Sequence, residues 1–175
     1  MRVDEFILLI IATTLGYGIW WIFKGIYLAI TYKERKLRRE YNEYLLETVD
    51  INSLDDRDFE IFCAEVFKKQ GFEVELTKAT GDYGRDIILN NSIYVECKRF
   101  NKKRSVGRPI LQKLLGSMDM FGINKGIIIT TSRYSNTAIE AARMSGKLIL
   151  WDSYDLFRFL KADKEKAQRL SLIHI

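Results

Sequence analysis

Three ionisable side chains near the middle of the chain have the types and spacing of a metal-dependent hydrolase. Glu96 follows Asp86 by ten residues, and Lys98 comes two residues later. Carboxylate oxygens suit hard cations such as Mg²⁺, or Mn²⁺ in its place. An amine beside such a cation can orient water or support its attack on phosphorus. The trio therefore predicts a phosphodiester hydrolase, although the same spacing also recurs by chance in unrelated proteins.

The pairing of the two local strands determines whether the side chains of Asp86 and Glu96 lie close together. Residues 86–89 and 93–98 are strand-like segments around an Asn-Asn pair, which is a turn signal, and they predict a β-hairpin. A three-residue turn at 90–92 pairs Asp86 with Glu96 on one side of the sheet. A two-residue turn would pair Asp86 with the residue before Glu96 and would separate the carboxylates.

The second strand has one apolar face and one face with ionisable side chains, because side chains alternate along a strand. Ile93, Val95 and Cys97 form the apolar face, which we expect to pack against helices. Glu96 and Lys98 then project from the opposite face, which we expect to be open.

A basic segment follows the predicted hairpin. Six of the eleven residues from 98 to 108 are cations, and such a cluster beside an acidic site could hold a phosphate backbone through contacts that read no base sequence. Lys98, the first of these six cations, belongs to the trio. The other five are the predicted DNA-binding residues: Arg99, Lys102, Lys103, Arg104 and Arg108. The chain's net charge of +5 permits DNA or anionic lipid as a partner.

The elements around the hairpin predict the fold class. Strands come consecutively at first and then alternate with helices, which favours a three-layer α/β/α sandwich with a mixed central sheet. Ser53 is the expected N-cap of a helix that ends before Gly71, and a strand and a Gly-rich turn at 80–84 follow it. After the basic segment we expect helices at 109–120, 135–145 and 154–169 and strands at 126–131 and 147–151.

The N-terminal third differs in composition from the rest. Residues 6–23 carry no charged side chain, and about 25 mostly apolar residues can cross about 30 Å of hydrocarbon. We therefore expect a transmembrane anchor at 1–32, followed by a helical stalk at 33–48. Five cations follow the predicted span, against one before it, so the remaining domain should be cytoplasmic at the inner membrane.

The catalytic domain is expected at 49–169. The last six residues, 170–175, match no element and resemble a translated sequencing adapter, so they are expected to be a non-native tail. The single histidine, His174, lies in this tail, which disfavours a mechanism that needs a histidine base.

Longer sequence blocks carry a more specific signal than the trio alone. The segments GDYGRDIIL, YVECKRF, VGRPILQKLLGSM, KGIIITTSRYSNTAIEAA and LILWDSYDL occur in this order between about residues 50 and 160. Together they resemble the catalytic domain of the Mrr-type restriction endonucleases, within the PD-(D/E)xK nuclease superfamily.

The resemblance implies a role for each matching residue. Asp86 matches the metal-binding aspartate of that family, and Glu96 and Lys98 match its acidic residue and lysine. Glu60 matches a helix glutamate that can complete the metal site, and a solvated helix residue is the alternative. Gln112 matches a polar position on the helix after the hairpin, and Ser132 and Arg133 could contact phosphate or serve only the turn.

One departure from the family pattern concerns target selection. Mrr-type enzymes commonly carry a separate DNA-reading domain, and here the predicted anchor and stalk occupy its place. The sequence thus predicts a Mg²⁺-dependent DNA endonuclease of restriction or defence at the membrane, and a homodimer would suit double-strand cleavage. The alternatives are a membrane-tethered DNA-binding module that does not cut, and a nuclease for junctions or single strands.

Overall fold

The computed structural model describes residues 3–47, 51, 53–78 and 84–162. Most of the predicted Gly-rich turn, the predicted helix beyond residue 162 and the tail at 170–175 lie outside these residues. The chain divides into two compact units, Met1–Glu43 and Tyr44–Ile175.

One helix, α1 (Val3–Glu47), accounts for the first unit. It includes the residues of the predicted stalk up to Glu47, which are helical, while their role as a stalk stays a prediction. Over the residues that the structure describes, however, no helix combines the length and the apolar character that a membrane crossing requires. The transmembrane anchor expected at 1–32 stays a prediction.

The second unit contains a five-stranded mixed sheet. Its elements in chain order are α2 (Asp56–Lys69), β1 (Val74–Leu76), β2 (Ile87–Leu89), β3 (Ile93–Lys98), β4 (Ser105–Val106), α3 (Arg108–Met120), β5 (Lys125–Thr130), β6 (Arg133–Tyr134), α4 (Asn136–Ser145), β7 (Leu148–Trp151) and α5 (Ser153–Lys161). The strand order is β1-β2-β3-β5-β7. The first two pairings are antiparallel and the last two are parallel, which confirms the predicted mixed sheet.

Helices pack on both faces of this sheet, because the apolar side chains of its strands point alternately to either side. On one face, Val95 and Cys97 join a core that includes residues of α2 and α5. On the other face, Tyr94 and Ile128 join a core that includes residues of α3 and α4. The expected helix–sheet–helix layering is thus present in the second unit.

The helix before the sheet begins two residues later than predicted. Asp55, rather than Ser53, is the N-cap of α2, and its Oδ1 accepts a hydrogen bond from the backbone N–H of Asp58 at 2.7 Å. At the other end, Gly71 has a φ of +88°, the left-handed conformation that favours glycine directly after a helix. The sequence therefore located the end of this helix correctly, but the N-cap predicted at Ser53 was two residues too early.

A second, two-stranded sheet was not predicted. The strands β4 and β6 pair in parallel, with Ser105 opposite Arg133 and Val106 opposite Tyr134. The basic segment at 99–108 is therefore not a plain loop. Its C-terminal part is held against the residues that follow β5.

Candidate active site

The turn between β2 and β3 sets the position of the predicted carboxylates. Asn90 and Asn91 have φ values of 49° and 53°, in the left-handed region that asparagine tolerates. The backbone N–H of Ser92 donates to the Leu89 carbonyl at 3.0 Å, and Leu89 pairs with Ile93. The turn therefore uses three residues, which is the alternative that brings the two carboxylates to the same side.

Asp86 lies directly before β2 and is held by the backbone on both sides. Its own N–H donates to the Val95 carbonyl at 2.8 Å, and its carboxylate oxygen Oδ2 accepts from the N–H of Cys97 at 2.6 Å. The N–H of Thr77 donates to the Asp86 carbonyl at 2.9 Å. Because these partners are mostly backbone groups, the carboxylate has a fixed position at the start of the hairpin.

Lys98 lies close to both carboxylates of the hairpin. Its ammonium nitrogen Nζ lies 2.6 Å from Glu96 Oε1 and 4.0 Å from Asp86 Oδ2. Glu96 is 1% exposed and Asp86 is 4% exposed, whereas Lys98 is partly accessible. The predicted trio is therefore one contact cluster in the second unit.

Burial and charge shift the protonation of this cluster. Burial raises the pKa of the Asp86 carboxyl to about 7, and the neighbouring Glu96 charge adds to the increase. Burial alone would lower the pKa of the Lys98 ammonium, but Glu96 and Asp86 outweigh it and raise that pKa above its ordinary value. Lys98 is therefore a charged donor at neutral pH, and Asp86 titrates close to neutrality.

The face that carries these groups is more enclosed than the sequence suggested. We expected Glu96 and Lys98 to project from an open face, but Tyr94 on the same face packs into the core beneath α3 and α4. Glu96 is buried as well. The prediction of an open face was wrong because helices cover both sides of the sheet, and Lys98 is the partly exposed member of the cluster.

The chemistry of the donors fits a divalent cation. The second oxygen of Glu96, Oε2, is buried and has no hydrogen-bond donor among the described residues. Asp86 and Glu96 supply hard carboxylate oxygens, and Mg²⁺ is often bound by one or two carboxylates together with waters and substrate phosphates. Asp86 and Glu96 would hold the ion. Over residues 3–47, 51, 53–78 and 84–162, no group of three or more acidic, histidine or cysteine side chains is arranged as a complete metal site.

The structure does not bring the two remaining predicted site residues into this cluster by direct contact. Glu60 is on α2, where its Oε2 accepts from Arg57 Nη1 at 2.7 Å. Its charge is near enough to contribute to the raised pKa of Asp86. Gln112 lies exposed on α3. The roles of Glu60 as a third metal ligand and of Gln112 as a catalytic residue stay predictions.

The basic segment begins at the cluster and forms specific contacts. Arg99 Nε donates to Asp56 Oδ1 at 3.1 Å, and the guanidinium carbon of Arg104 lies 4.0 Å from the centre of the Phe100 ring. The remaining predicted DNA-binding cations, Lys102, Lys103 and Arg108, are exposed. A run of basic side chains therefore starts one residue after Lys98.

Two threonines hold the end of β3, and sequence reasoning did not identify them. The Thr130 hydroxyl donates to the Lys98 carbonyl at 2.7 Å, and the Thr131 hydroxyl donates to the Phe100 carbonyl at 2.8 Å. The Thr-Thr pair at the end of a buried strand was the available signal. Ser132 has a structural contact too, since its hydroxyl donates to the Arg104 carbonyl.

Comparisons with known proteins place this domain in a family. A family model of the Mrr catalytic domain, described as restriction endonuclease, matches residues 51–160. The chain is 31% identical over 97 residues to the uncharacterized protein y4cE of Sinorhizobium fredii, covering 51% of this chain and 25% of that protein. It is 26% identical over 113 residues to the type IV methyl-directed restriction enzyme EcoKMrr of Escherichia coli K12, covering 58% of this chain and 36% of that enzyme. The chain thus spans about a quarter and about a third of the lengths of these relatives.

Solved structures with a similar arrangement include two restriction endonucleases. The DNA modification-dependent restriction endonuclease AspBHI has a TM-score of 0.49 and 16% identity, covering 79% of this chain and 38% of that chain. The MspJI restriction endonuclease, in complex with a 27-mer oligonucleotide, has a TM-score of 0.48 and 14% identity, covering 79% and 35%. The family match at 51–160 extends over more than half of the sequence, and the chain therefore belongs to the Mrr-type restriction endonuclease family.

Proposed function

We propose that the chain is a divalent-metal-dependent DNA endonuclease whose active site consists of Asp86, Glu96 and Lys98. The observation that carries this proposal is the contact cluster itself, in which a charged lysine lies 2.6 Å from one buried carboxylate and 4.0 Å from another. Buried carboxylates repel each other unless positive charge lies between them, so the cluster is suited to a cation.

The reaction is the hydrolysis of a phosphodiester. The oxygen of water forms a bond to phosphorus, one phosphorus–oxygen ester bond breaks, and the departing oxygen takes up a proton. A bound divalent ion supplies Lewis-acid polarisation of the phosphoryl oxygens. Mg²⁺ is the expected ion, with Mn²⁺ as the alternative.

The protein side chains perform the remaining tasks. Asp86 and Glu96 hold the cation, and Asp86 keeps its position because the Cys97 N–H donates to it at 2.6 Å. Lys98 carries a full charge at neutral pH, because the carboxylates raise its pKa. It therefore stabilises the negative charge that develops on the phosphate during attack.

The basic segment supplies the DNA contacts in this proposal. Five cations follow Lys98 within ten residues, and we place the bound phosphate backbone along them: Arg99, Lys102, Lys103, Arg104 and Arg108. Such contacts depend on salt and read no sequence. We therefore infer that selection of a target site depends on other features.

Restriction of foreign DNA is the biological role that we propose. The Escherichia coli relative is a methyl-directed restriction enzyme, and the present chain covers about a third of it. A preference for methylated DNA belongs to the proposal for that reason, as does a homodimer for double-strand cleavage. Location at the inner membrane with a cytoplasmic domain stays a prediction, and cell fractionation of the tagged chain decides it.

Plasmid cleavage by the purified full chain tests the proposed activity. Methylated and unmethylated supercoiled plasmids are incubated with Mg²⁺, Mn²⁺ or a chelator, and nicked and linear products are measured. We expect products with metal only and a loss of at least about 100-fold in Asp86→Asn. Glu75→Gln, an exposed carboxylate change on β1, is the matched control and should cut as the wild type does. Cleavage in the chelator, or undiminished cleavage by Asp86→Asn, would refute the proposal.

A further inference from the structure

A pocket opens at the start of the basic segment, at the residues that follow Lys98 in the chain. It has a volume of about 350 Å³ and is lined by Arg99, Phe100, Asn101, Lys102 and Thr131. None of these lining residues is acidic. This volume lies at the lower end of the range typical of small-molecule sites, about 300–1,000 Å³.

The aromatic wall of this pocket is held in place by the sheet. The N–H of Phe100 donates to Thr131 Oγ1 at 2.9 Å, and the Thr131 hydroxyl donates back to the Phe100 carbonyl at 2.8 Å. The Phe100 ring also packs against the core beneath α3 and α4, and the Arg104 guanidinium lies over it. The wall is therefore preorganised before any ligand arrives.

The polar wall is also positioned by contacts. Asn101 Oδ1 accepts from the backbone N–H groups of Lys103 and Arg104, both at 3.2 Å. This use of the oxygen leaves the amide nitrogen of Asn101 as the donor for a ligand. Arg99 is steadied by its ion pair with Asp56 at 3.1 Å. Two cations and an amide donor thus share one pocket with an aromatic ring.

This combination of groups fits one nucleotide. Arginine and lysine bind phosphate through charge-assisted hydrogen bonds, and an amide can donate to the same oxygens. Aromatic side chains contact bases and sugars without a strong preference for sequence. A carboxylate ligand would use the cations but would make no use of the aromatic wall.

The pocket adjoins Lys98 through the backbone. It begins at the residue after Lys98, and its wall residue Thr131 donates its backbone N–H to the Lys98 carbonyl at 3.3 Å. We propose that this pocket binds one nucleotide of the cleaved strand, next to the scissile phosphate, with Arg99, Asn101 and Lys102 at its phosphate and Phe100 against its sugar and base. The proposal rests on the proposed nuclease function, because it assigns this nucleotide to the same substrate.

Two neighbouring lysines offer a matched test. Lys102 lines the pocket and Lys103 does not, yet both are exposed and carry the same charge. Binding of a fluorescent DNA duplex to the full chain is measured by anisotropy in a chelator, for Lys102→Ala, Lys103→Ala, Phe100→Leu and Phe100→Tyr. A deoxynucleoside monophosphate and inorganic phosphate are compared as competitors. Unfolding midpoints confirm that each variant is folded.

The expected results separate a nucleotide pocket from a general basic surface. Phe100→Leu should weaken DNA binding about tenfold with an unchanged salt dependence, and Phe100→Tyr should restore it, because the ring and not charge is at issue. Lys102→Ala should weaken binding more than Lys103→Ala. The nucleotide should compete better than inorganic phosphate with the wild type, and this advantage should vanish in Phe100→Leu.

Because the chelator prevents metal-dependent cleavage, DNA binding measured in its presence tests the pocket separately from catalysis. If Phe100→Leu and Lys102→Ala bind DNA no more weakly than Lys103→Ala, the pocket proposal is overturned even when the wild type cuts plasmid. If the wild type fails to cut with metal, the nuclease proposal fails, and the same binding results still support or overturn the nucleotide pocket.

Discussion

The backbone N–H of Cys97 donates to the Asp86 carboxylate at 2.6 Å. One strand therefore carries Glu96 and Lys98 and also fixes the aspartate that precedes the neighbouring strand. The hydrogen bond stabilises the ionised form of Asp86, but burial and the Glu96 charge outweigh it, and the pKa rises to about 7. This balance has consequences for stability, for metal binding and for catalysis.

Without metal, the folded protein should lose stability as the pH rises from about 4 to about 7. The Asp86 pKa is about 7 in the folded protein and 3.8 for the free side chain, so the folded state binds the extra proton between these values. The loss of unfolding free energy is complete above pH 7 and amounts to at most about 4 kcal/mol. Urea unfolding in a chelator at pH 5 and pH 8 measures it.

Asp86→Asn is the control for this pH dependence. The variant cannot ionise at this position, so its stability should change less between pH 5 and pH 8 than that of the wild type. Asp155, whose pKa is also raised by burial, contributes the same pH dependence of the unfolding free energy to both proteins. Equal slopes in the two proteins would contradict the assignment to Asp86.

Affinity for a divalent ion should depend on pH with a midpoint near 7. A proton and the cation compete for Asp86, so each ion bound releases a proton when the pH is below this pKa. Mn²⁺ affinity should fall about tenfold per pH unit below 7 and should level off above it. Titration of the full chain with Mn²⁺ at pH 6, 7 and 8 checks this. A constant affinity over the range would show that Asp86 is not a ligand.

Replacement of Lys98 should affect stability and cleavage together. Lys98→Met leaves two buried carboxylates without their ammonium, so we expect a loss of about 3 kcal/mol in unfolding free energy at pH 8 without metal. Cleavage should fall roughly 10²–10³-fold, because the charge near the phosphate is lost. Urea unfolding and plasmid nicking measure the two effects.

A surface lysine provides the matched comparison. Lys68 lies 2.7 Å from Glu65, nearly the distance between Lys98 and Glu96, but both side chains of this pair are more than half exposed. Lys68→Met should cost less than about 1 kcal/mol, because solvent screens the pair. If the two lysine variants unfold alike and both still cut DNA, the cluster around Lys98 has no special role.

Gln70 should stabilise the last helix of the second unit. Its side-chain nitrogen donates to the carbonyls of Phe159 at 2.8 Å, Leu160 at 2.9 Å and Ala162 at 3.2 Å, at the C-terminal end of α5. The residue is 3% exposed, so Gln70→Leu leaves helix-end carbonyls without their donor. We expect a loss of about 2 kcal/mol, measured by urea unfolding.

Hydrogen exchange locates this effect of Gln70. Faster exchange in α5 than in β3 of Gln70→Leu would agree with a local cap, whereas uniform changes would point to a general packing defect. Gln70→Glu keeps the shape but offers no donor when ionised, so it should be no more stable than Gln70→Leu.

Local sequence determined the hairpin and its chemistry. Asn90 and Asn91 accept left-handed backbone angles, and this property locates the turn between adjacent strands, although the sequence left both a two-residue and a three-residue turn open. Strict alternation along β3 then separates Val95 from Glu96. These features depend on residues that are neighbours in the chain, so the amino-acid pattern alone predicts them.

Distant contacts decided how the site is enclosed and supported. Lys98 pairs with Thr130 across the parallel strands β3 and β5, and Gln70 reaches carbonyls about 90 residues away. The register of parallel strands depends on how the connecting helix packs, and no local period encodes it. Burial of Glu96 likewise follows from helices on both faces of the sheet.

The sequence by itself therefore determined which groups are present, where the turn lies and that Glu96 and Lys98 share one face of β3. The structure decided that the turn has three residues, which places Asp86 on the same side. The tertiary structure decided that Lys98 lies close to both carboxylates, that Arg57 pairs with Glu60, and that Phe100 lines a pocket. The physical reason is that residue type and alternation are properties of the chain itself. Burial, pKa and ion-pair choice arise only when separate segments exclude water together.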